Sequence, residues 1–175
     1  SSSTWLGPAA RSRNLARLAG AARVDLTPEL GVALMGYGAR VGTAQSVADR
    51  LHARAIALDD GGTNSLIAVS ADLCLMAPEQ ALSVRERIAA ATGVGIPRIL
   101  VACTHTHSGP DTGLADLLAG RPVPPHVPSI LEGVAAAAVQ AWRAREPATF
   151  AWTRTRARIG RNRRVEDAPI DESVE

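Results

Sequence analysis

Two of the four histidines fall within one short run, Cys103-Thr104-His105-Thr106-His107-Ser108-Gly109-Pro110. In an extended backbone alternate side chains share a face, which predicts that His105 and His107 project together while Thr104 and Thr106 point the other way. Two imidazoles on one face suit a divalent ion such as zinc. A neutral pair can also be satisfied by hydrogen bonds alone, and catalytic zinc usually takes about three protein ligands and keeps one position open. Neither His52 nor His126 has a position that clearly supplies the remainder. Ser108 beside two imidazoles invites a nucleophile, because a histidine can activate a hydroxyl. Ser-Gly-Pro is, however, an ordinary turn sequence, and no G-x-S-x-G elbow surrounds it.

Other groups could join that chemistry or stand apart from it. Asp72 could reach the same crevice to orient a histidine, or open a helix, and we read it as a helix cap. His52 and Arg54 alternate with alanines and read as structural, with Arg54 paired to an acid. Met35-Gly36-Tyr37-Gly38 places two glycines around one tyrosine, the pattern of a turn or of a loop that makes a close approach. Six arginines, Arg154, Arg156, Arg158, Arg161, Arg163 and Arg164, crowd one stretch. The first three read as the solvated face of an edge strand, where charge blocks edge-to-edge pairing. The loop Gly160-Arg161-Asn162-Arg163-Arg164 could instead converge on a carboxylate or oxyanion.

These residues need elements to hold them. Leu51 to Leu58 and Ser65 to Ala71 flank Asp59-Asp60-Gly61-Gly62-Thr63-Asn64, rich in turn formers, and predict a hairpin. The apolar run in the second strand predicts a central position. Pro78 and Glu79 open a helix that runs to about Thr92, stopped by Gly93, Gly95 and Pro97. Arg98 to Cys103 is a further apolar strand, so Ser65 to Cys103 reads as a βαβ unit with a parallel pair. The two-histidine run then sits at the carboxyl end of a parallel strand, where open α/β sheets bind ligands. After a Gly/Pro-rich loop from Ser108 to Pro125, Val127, Ile130, Leu131, Val134, Ala138, Val139 and Trp142 form a helical stripe. Phe150 to Arg158 alternates as a strand with one wet face. Ala21 to Asp25 reads as a short strand, and residues 1–19 as a tail. The fold class is therefore α/β: a mixed sheet with a parallel βαβ unit and two long helices.

Composition bounds the rest. A chain of 175 residues with 46% hydrophobic content can bury roughly 70% of its unfolded surface, enough for a core without disulfides or a structural metal. Cys74 and Cys103 sit in apolar surroundings and read as reduced, buried thiols. No uncharged stretch approaches the roughly 20 residues of a spanning helix. All 19 basic residues are arginine and the net charge is +2, which with few interleaved aromatics argues against nucleic acid. The chain begins with Ser and its opening lacks a secretory apolar region. The expectation is a removed leader or a fragment, with secreted and cytoplasmic settings both open.

Taken in order, Met35-Gly36-Tyr37-Gly38, Leu51-His52-Ala53-Arg54-Ala55, Asp72, Thr104-His105-Thr106-His107-Ser108-Gly109-Pro110 and Asn162-Arg163 resemble the N-terminal part of the neutral/alkaline (non-lysosomal) ceramidase family. The resemblance runs from about Gly20 to the end of the chain. It implies a zinc-dependent amidohydrolase that cleaves the N-acyl bond of ceramide, or of another N-acyl small molecule. It implies that His105 is a zinc ligand, and that His107 and Arg163 act at the reacting centre. Gly36, Tyr37 and Asn162 would contact substrate. The family's remaining ligands, a second His, a Glu and a Tyr, match nothing here, so residues 20–175 read as the truncated N-terminal part of a catalytic domain. Such a protein would need no nucleic acid and no transmembrane segment, with room for peripheral contact with membrane lipid. The other reading is a non-catalytic domain that binds an anion through the Arg-rich strand and loop.

Overall fold

A computed structural model describes residues 17–61, 64–151, 153–162, 164–165 and 168–174. A five-stranded mixed sheet organises them. Strands β1 (Leu18–Asp25), β2 (His52–Asp59), β3 (Leu66–Ala71), β4 (Ile99–Cys103) and β5 (Glu146–Pro147) lie in the order β4-β3-β2-β1-β5. β2 and β3 pair antiparallel as the expected hairpin. β3 and β4 are parallel, with Ile67 opposite Ile99 and Ala71 opposite Cys103. Helix α1 (Pro78–Thr92) connects them, with Pro at its start and Gly93 left-handed at φ 76° just past its end. Both signals were in the sequence, for the reason that Pro lacks a donor the first turn does not need and Gly alone takes that φ freely.

The core lies on one face of the sheet. Ala53, Ala55 and Ala57 of β2 and Ile67, Val69 and Ala71 of β3 point inward and are buried. Against them pack Val84 and Ile88 of α1, and Ile130, Val134, Ala137, Ala138 and Ala141 of α3 (Val127–Arg143). Small side chains on both layers let helix and strands approach closely. Where they come nearest, a Cβ on Gly20 would run into the main-chain carbonyl of Ala141. The opposite face carries Ile56, Leu66 and Leu100, all exposed. β3 is thus central yet one-sided, and its apolar run divides into a buried and an open face. Among the described residues no helix is long and apolar enough to cross a membrane.

Several expectations need correction. β1 begins at Leu18, and Leu18 and Ala19, expected in a tail of residues 1–19, instead pair with Asp59 and Leu58; residues 1–16 lie outside the described residues. The stripe on α3 is centred on its alanines, and Leu131, Val139 and Trp142 are only half-buried. The Ser108 to Pro125 loop holds a short helix, α2 (Leu114–Leu118). Among the described residues Phe150 to Arg158 is not one strand: of these, only Thr155–Arg156 (β6) pairs, with Ser173–Val174 (β7). Trp152, in the same stretch, lies outside the described residues. Glu146–Pro147 instead joins the sheet at its edge beside β1, a position that tolerates a residue without an N–H.

Candidate metal and substrate site

β4 ends at Cys103, and the two-histidine loop continues along the segment that follows β3. The Thr104 N–H donates to the Ala71 carbonyl at 2.9 Å and the His105 N–H to the Leu73 carbonyl at 3.0 Å. His105 then turns left-handed, at φ 61°, the one non-glycine residue with positive φ among those described. An unusual backbone of this kind at a non-glycine residue costs on the order of 1–3 kcal/mol and concentrates at functional sites. His105 and His107 do meet, but through this turn and not through the extended alternation expected of a strand.

Chemistry fixes which ring atoms are free. His105 Nδ1 lies 2.8 Å from the Cys74 carbonyl oxygen. A carbonyl only accepts, so Nδ1 carries a proton, and in the neutral ring Nε2 then holds the lone pair. That lone pair faces His107 Nε2 at 3.3 Å. Two nitrogens at about 2.0–2.1 Å from one tetrahedral zinc stand about 3.4 Å apart. The spacing therefore fits one ion held by both Nε2 atoms, and fits equally a long hydrogen bond between the two rings. Donor atoms of Cys74, His105 and His107 all lie within 4.8 Å of one another. The Cys74 thiol, however, approaches the Nδ1 side of the ring, at 3.7 Å, away from Nε2. Cys74 thus orients the imidazole through its carbonyl, as partners behind a metal ligand commonly do. Both cysteines are free thiols, as expected, but of the two only Cys74 is buried and Cys103 is half-buried. Burial, and then the neighbouring Cys74, push the Cys103 thiol pKa up.

The Met35 to Gly38 segment closes over His107. Gly36 is at φ 115°, and a Cβ there would fall on the His107 ring, 2.7 Å from its Cβ. The Tyr37 and His107 rings meet edge-on, centroids 4.8 Å apart at 84°. The Met35 N–H donates to the Gly109 carbonyl at 3.1 Å and the Asp111 N–H to the Ala33 carbonyl at 2.8 Å. Gly36 thus makes a close approach, to a histidine of this chain.

The remaining sequence candidates divide. Asp72 is no helix cap, since α1 starts beyond it at Pro78. Its Oδ2 accepts from the His52 N–H at 2.9 Å and from Arg54 at 2.7 Å, the acid partner expected for Arg54. His126 Nε2 donates to the Asp111 carbonyl at 2.7 Å. Thr106 and Ser108 line a separate cleft of about 390 Å³ with Leu30, Leu34, Leu51 and Pro110, away from the imidazoles. Asn162 Oδ1 accepts from the Arg164 and Val165 N–H groups at 3.0 and 3.1 Å. That engages it in a turn and does not bring it into hydrogen bonding with His105 or His107. Arg163 lies outside the described residues. Arg156 and Arg158 both pair with Glu172. The Cys74 carbonyl and the guanidinium of Arg40, which reaches the His107 carbonyl at 2.7 Å, were not singled out from sequence. Main-chain acceptors leave no residue-type signal.

Comparison with known proteins bears on this geometry. The family model described as neutral/alkaline non-lysosomal ceramidase, N-terminal, matches residues 18–168. A crystal structure of neutral ceramidase from Pseudomonas aeruginosa is similar at a TM-score of 0.65 and 25% identity, covering 77% of this chain and 23% of that one. A ceramidase complexed with C2 is similar in fold at a TM-score of 0.71 and 24% identity, covering 83% of this chain and 24% of that one. The chain thus spans about a quarter of the length of these solved ceramidases.

Proposed function

The chain belongs to the neutral/alkaline non-lysosomal ceramidase family, and from that premise we propose that it forms the N-terminal part of a zinc-dependent amidohydrolase cleaving the N-acyl bond of a sphingolipid or related amide. The observation that carries the metal reading is the anchored tautomer of His105, whose Nε2 lone pair faces His107 Nε2 at 3.3 Å. A zinc ion there supplies Lewis acidity toward the amide carbonyl and toward water. By the family resemblance His105 Nε2 would be the ligand and His107 would stay off the ion, and the Cys74 carbonyl keeps the His105 nitrogen aimed. His107, held against Tyr37 and Gly36, donates to the oxyanion that develops as the amide is attacked. Arg163, carried over from the family resemblance, adds positive charge at the same oxygen. Gly36, Tyr37 and Asn162 contact the substrate, an amphiphile that reaches the site from lipid. The further zinc ligands come from parts of a ceramidase that residues 20–175 do not match. The anion-binding alternative has less support, because Arg156 and Arg158 already share Glu172.

Zinc titration of this chain, and hydrolysis of an N-acyl sphingosine by a polypeptide of full ceramidase length, test the proposal. We expect this chain alone to hold zinc loosely and to hydrolyse nothing, and the longer polypeptide to do both. In the latter His105→Ala abolishes both. His107→Ala and Arg163→Ala lower the rate with metal content retained. Cys74→Ala, which keeps the carbonyl, leaves zinc content unchanged. Full activity of His105→Ala, or stoichiometric tight zinc in the isolated chain, overturns the assignment.

A further inference from the structure

Arg40 makes four contacts, three of them through its side chain, that gather around His107. Its Nη1 donates to the His107 carbonyl at 2.7 Å and to the Met35 carbonyl at 3.3 Å. Its guanidinium carbon lies 4.9 Å from the centroid of the Tyr37 ring. Its main-chain N–H closes a turn on the Tyr37 carbonyl at 3.0 Å. Among the described residues no carboxylate pairs with it, so its charge is spent on two carbonyl dipoles and a ring face. Those partners bracket His107. The carbonyl that Arg40 holds is that of His107 itself, the ring it covers packs edge-on against the His107 ring, and the Met35 carbonyl directly precedes the glycine that the His107 ring touches. Tyr37 is 60% exposed, so core packing does not fix its ring, and the cation on one side and the imidazole on the other do.

We propose that Arg40 is a positioning residue, which locks the 35–40 loop onto the two-histidine loop and so sets the orientation of His107 Nε2 toward His105. Its consequence for rate rests on the role of His107 proposed above, whereas its consequence for ring geometry does not. The test separates the two. The chain has a single tyrosine, so nuclear Overhauser contacts between its ring protons and the His107 ring can be assigned without ambiguity in this chain free of metal. In Arg40→Ala these contacts are expected to vanish while the amide spectrum of β1 to β4 stays native. Arg40→Lys should restore at least about half their intensity, since an ammonium can reach the same carbonyls and ring. If Arg40→Ala does not fold, Arg40→Met, which keeps the aliphatic stem, carries the same expectation. Undiminished contacts in a folded Arg40→Ala or Arg40→Met, or a lysine variant no better than these, overturn the proposal. In a polypeptide of full ceramidase length, Arg40→Ala should lower kcat about tenfold with KM within about twofold. Lost ring contacts with unchanged kcat would leave Arg40 as a positioning residue and remove His107 from the reaction instead.

Discussion

His107 stands where it does only because residue 36 has no side chain. A Cβ there would overlap the imidazole, and φ 115° would strain any other residue as well. Gly36→Ala should therefore move the ring and, on the role proposed for His107, lower amide hydrolysis by a polypeptide of full ceramidase length about a hundredfold, the scale of a misplacement near 1 Å. Gly38→Ala, where a new Cβ meets nothing within 4 Å, should leave the rate unchanged, and equal losses from both would refute the steric argument. The glycine was legible in sequence as a close approach. Its partner was not, because a loop reveals its need for space and not what fills the space. The meeting of His105 and His107 was likewise legible, but the left-handed turn that achieves it was not, since histidine takes positive φ more often than most residues yet far less often than glycine. At Asp25, hydrogen bonds from Thr27 and then the pairing with Arg50 hold the carboxyl well below the usual carboxylate range. A depressed folded-state value stabilises the fold above the ordinary aspartate pKa of about 3.9, and that contribution fades as pH falls below it. Melting curves between about pH 5 and 2 should accordingly decline less steeply for Asp25→Asn than for the parent chain.

At the scale of elements, legibility followed chemistry that is local. α1 could be read to its ends because Pro78 and Gly93 act where they stand, and the parallel β3–β4 pair followed from the helix length between two apolar strands. β5 and α2 could not, since two residues on a sheet edge and five in a loop take their form from what they lie beside. For α3 the periodicity found the helix but misweighted its face. Ala135, Ala137 and Ala141 are buried while the larger Leu131 is only partly so, because small residues are what permit close approach to a sheet lined with alanines. Urea denaturation should show this difference. Ile88→Ala, at a fully buried position of α1, should cost about 2–5 kcal/mol, and Leu131→Ala markedly less, about 1 kcal/mol. A larger loss at Leu131 would place it inside the core.

Among the described residues of the whole molecule, the sheet is clothed on one side. The site is gathered from three segments far apart in sequence, near residues 35–40, 72–74 and 105–107, and it exists only when β3, β4 and the long loop before β2 are all in place. The bare side has a different consequence, for behaviour in concentrated solution. Ile56, Leu66 and Leu100 are 50%, 42% and 59% exposed on adjacent strands, and Ile56 and Leu100 both flank Ala68, in register with it. They form a flat apolar surface on a domain whose charge is only +2, with little long-range repulsion to hold copies apart. The isolated chain should bind a hydrophobic dye such as ANS while fully folded, and its light scattering should rise with concentration. Ile56→Thr with Leu100→Thr, two β-compatible polar changes at exposed positions, should reduce both signals and shift stability by no more than about 0.5 kcal/mol each.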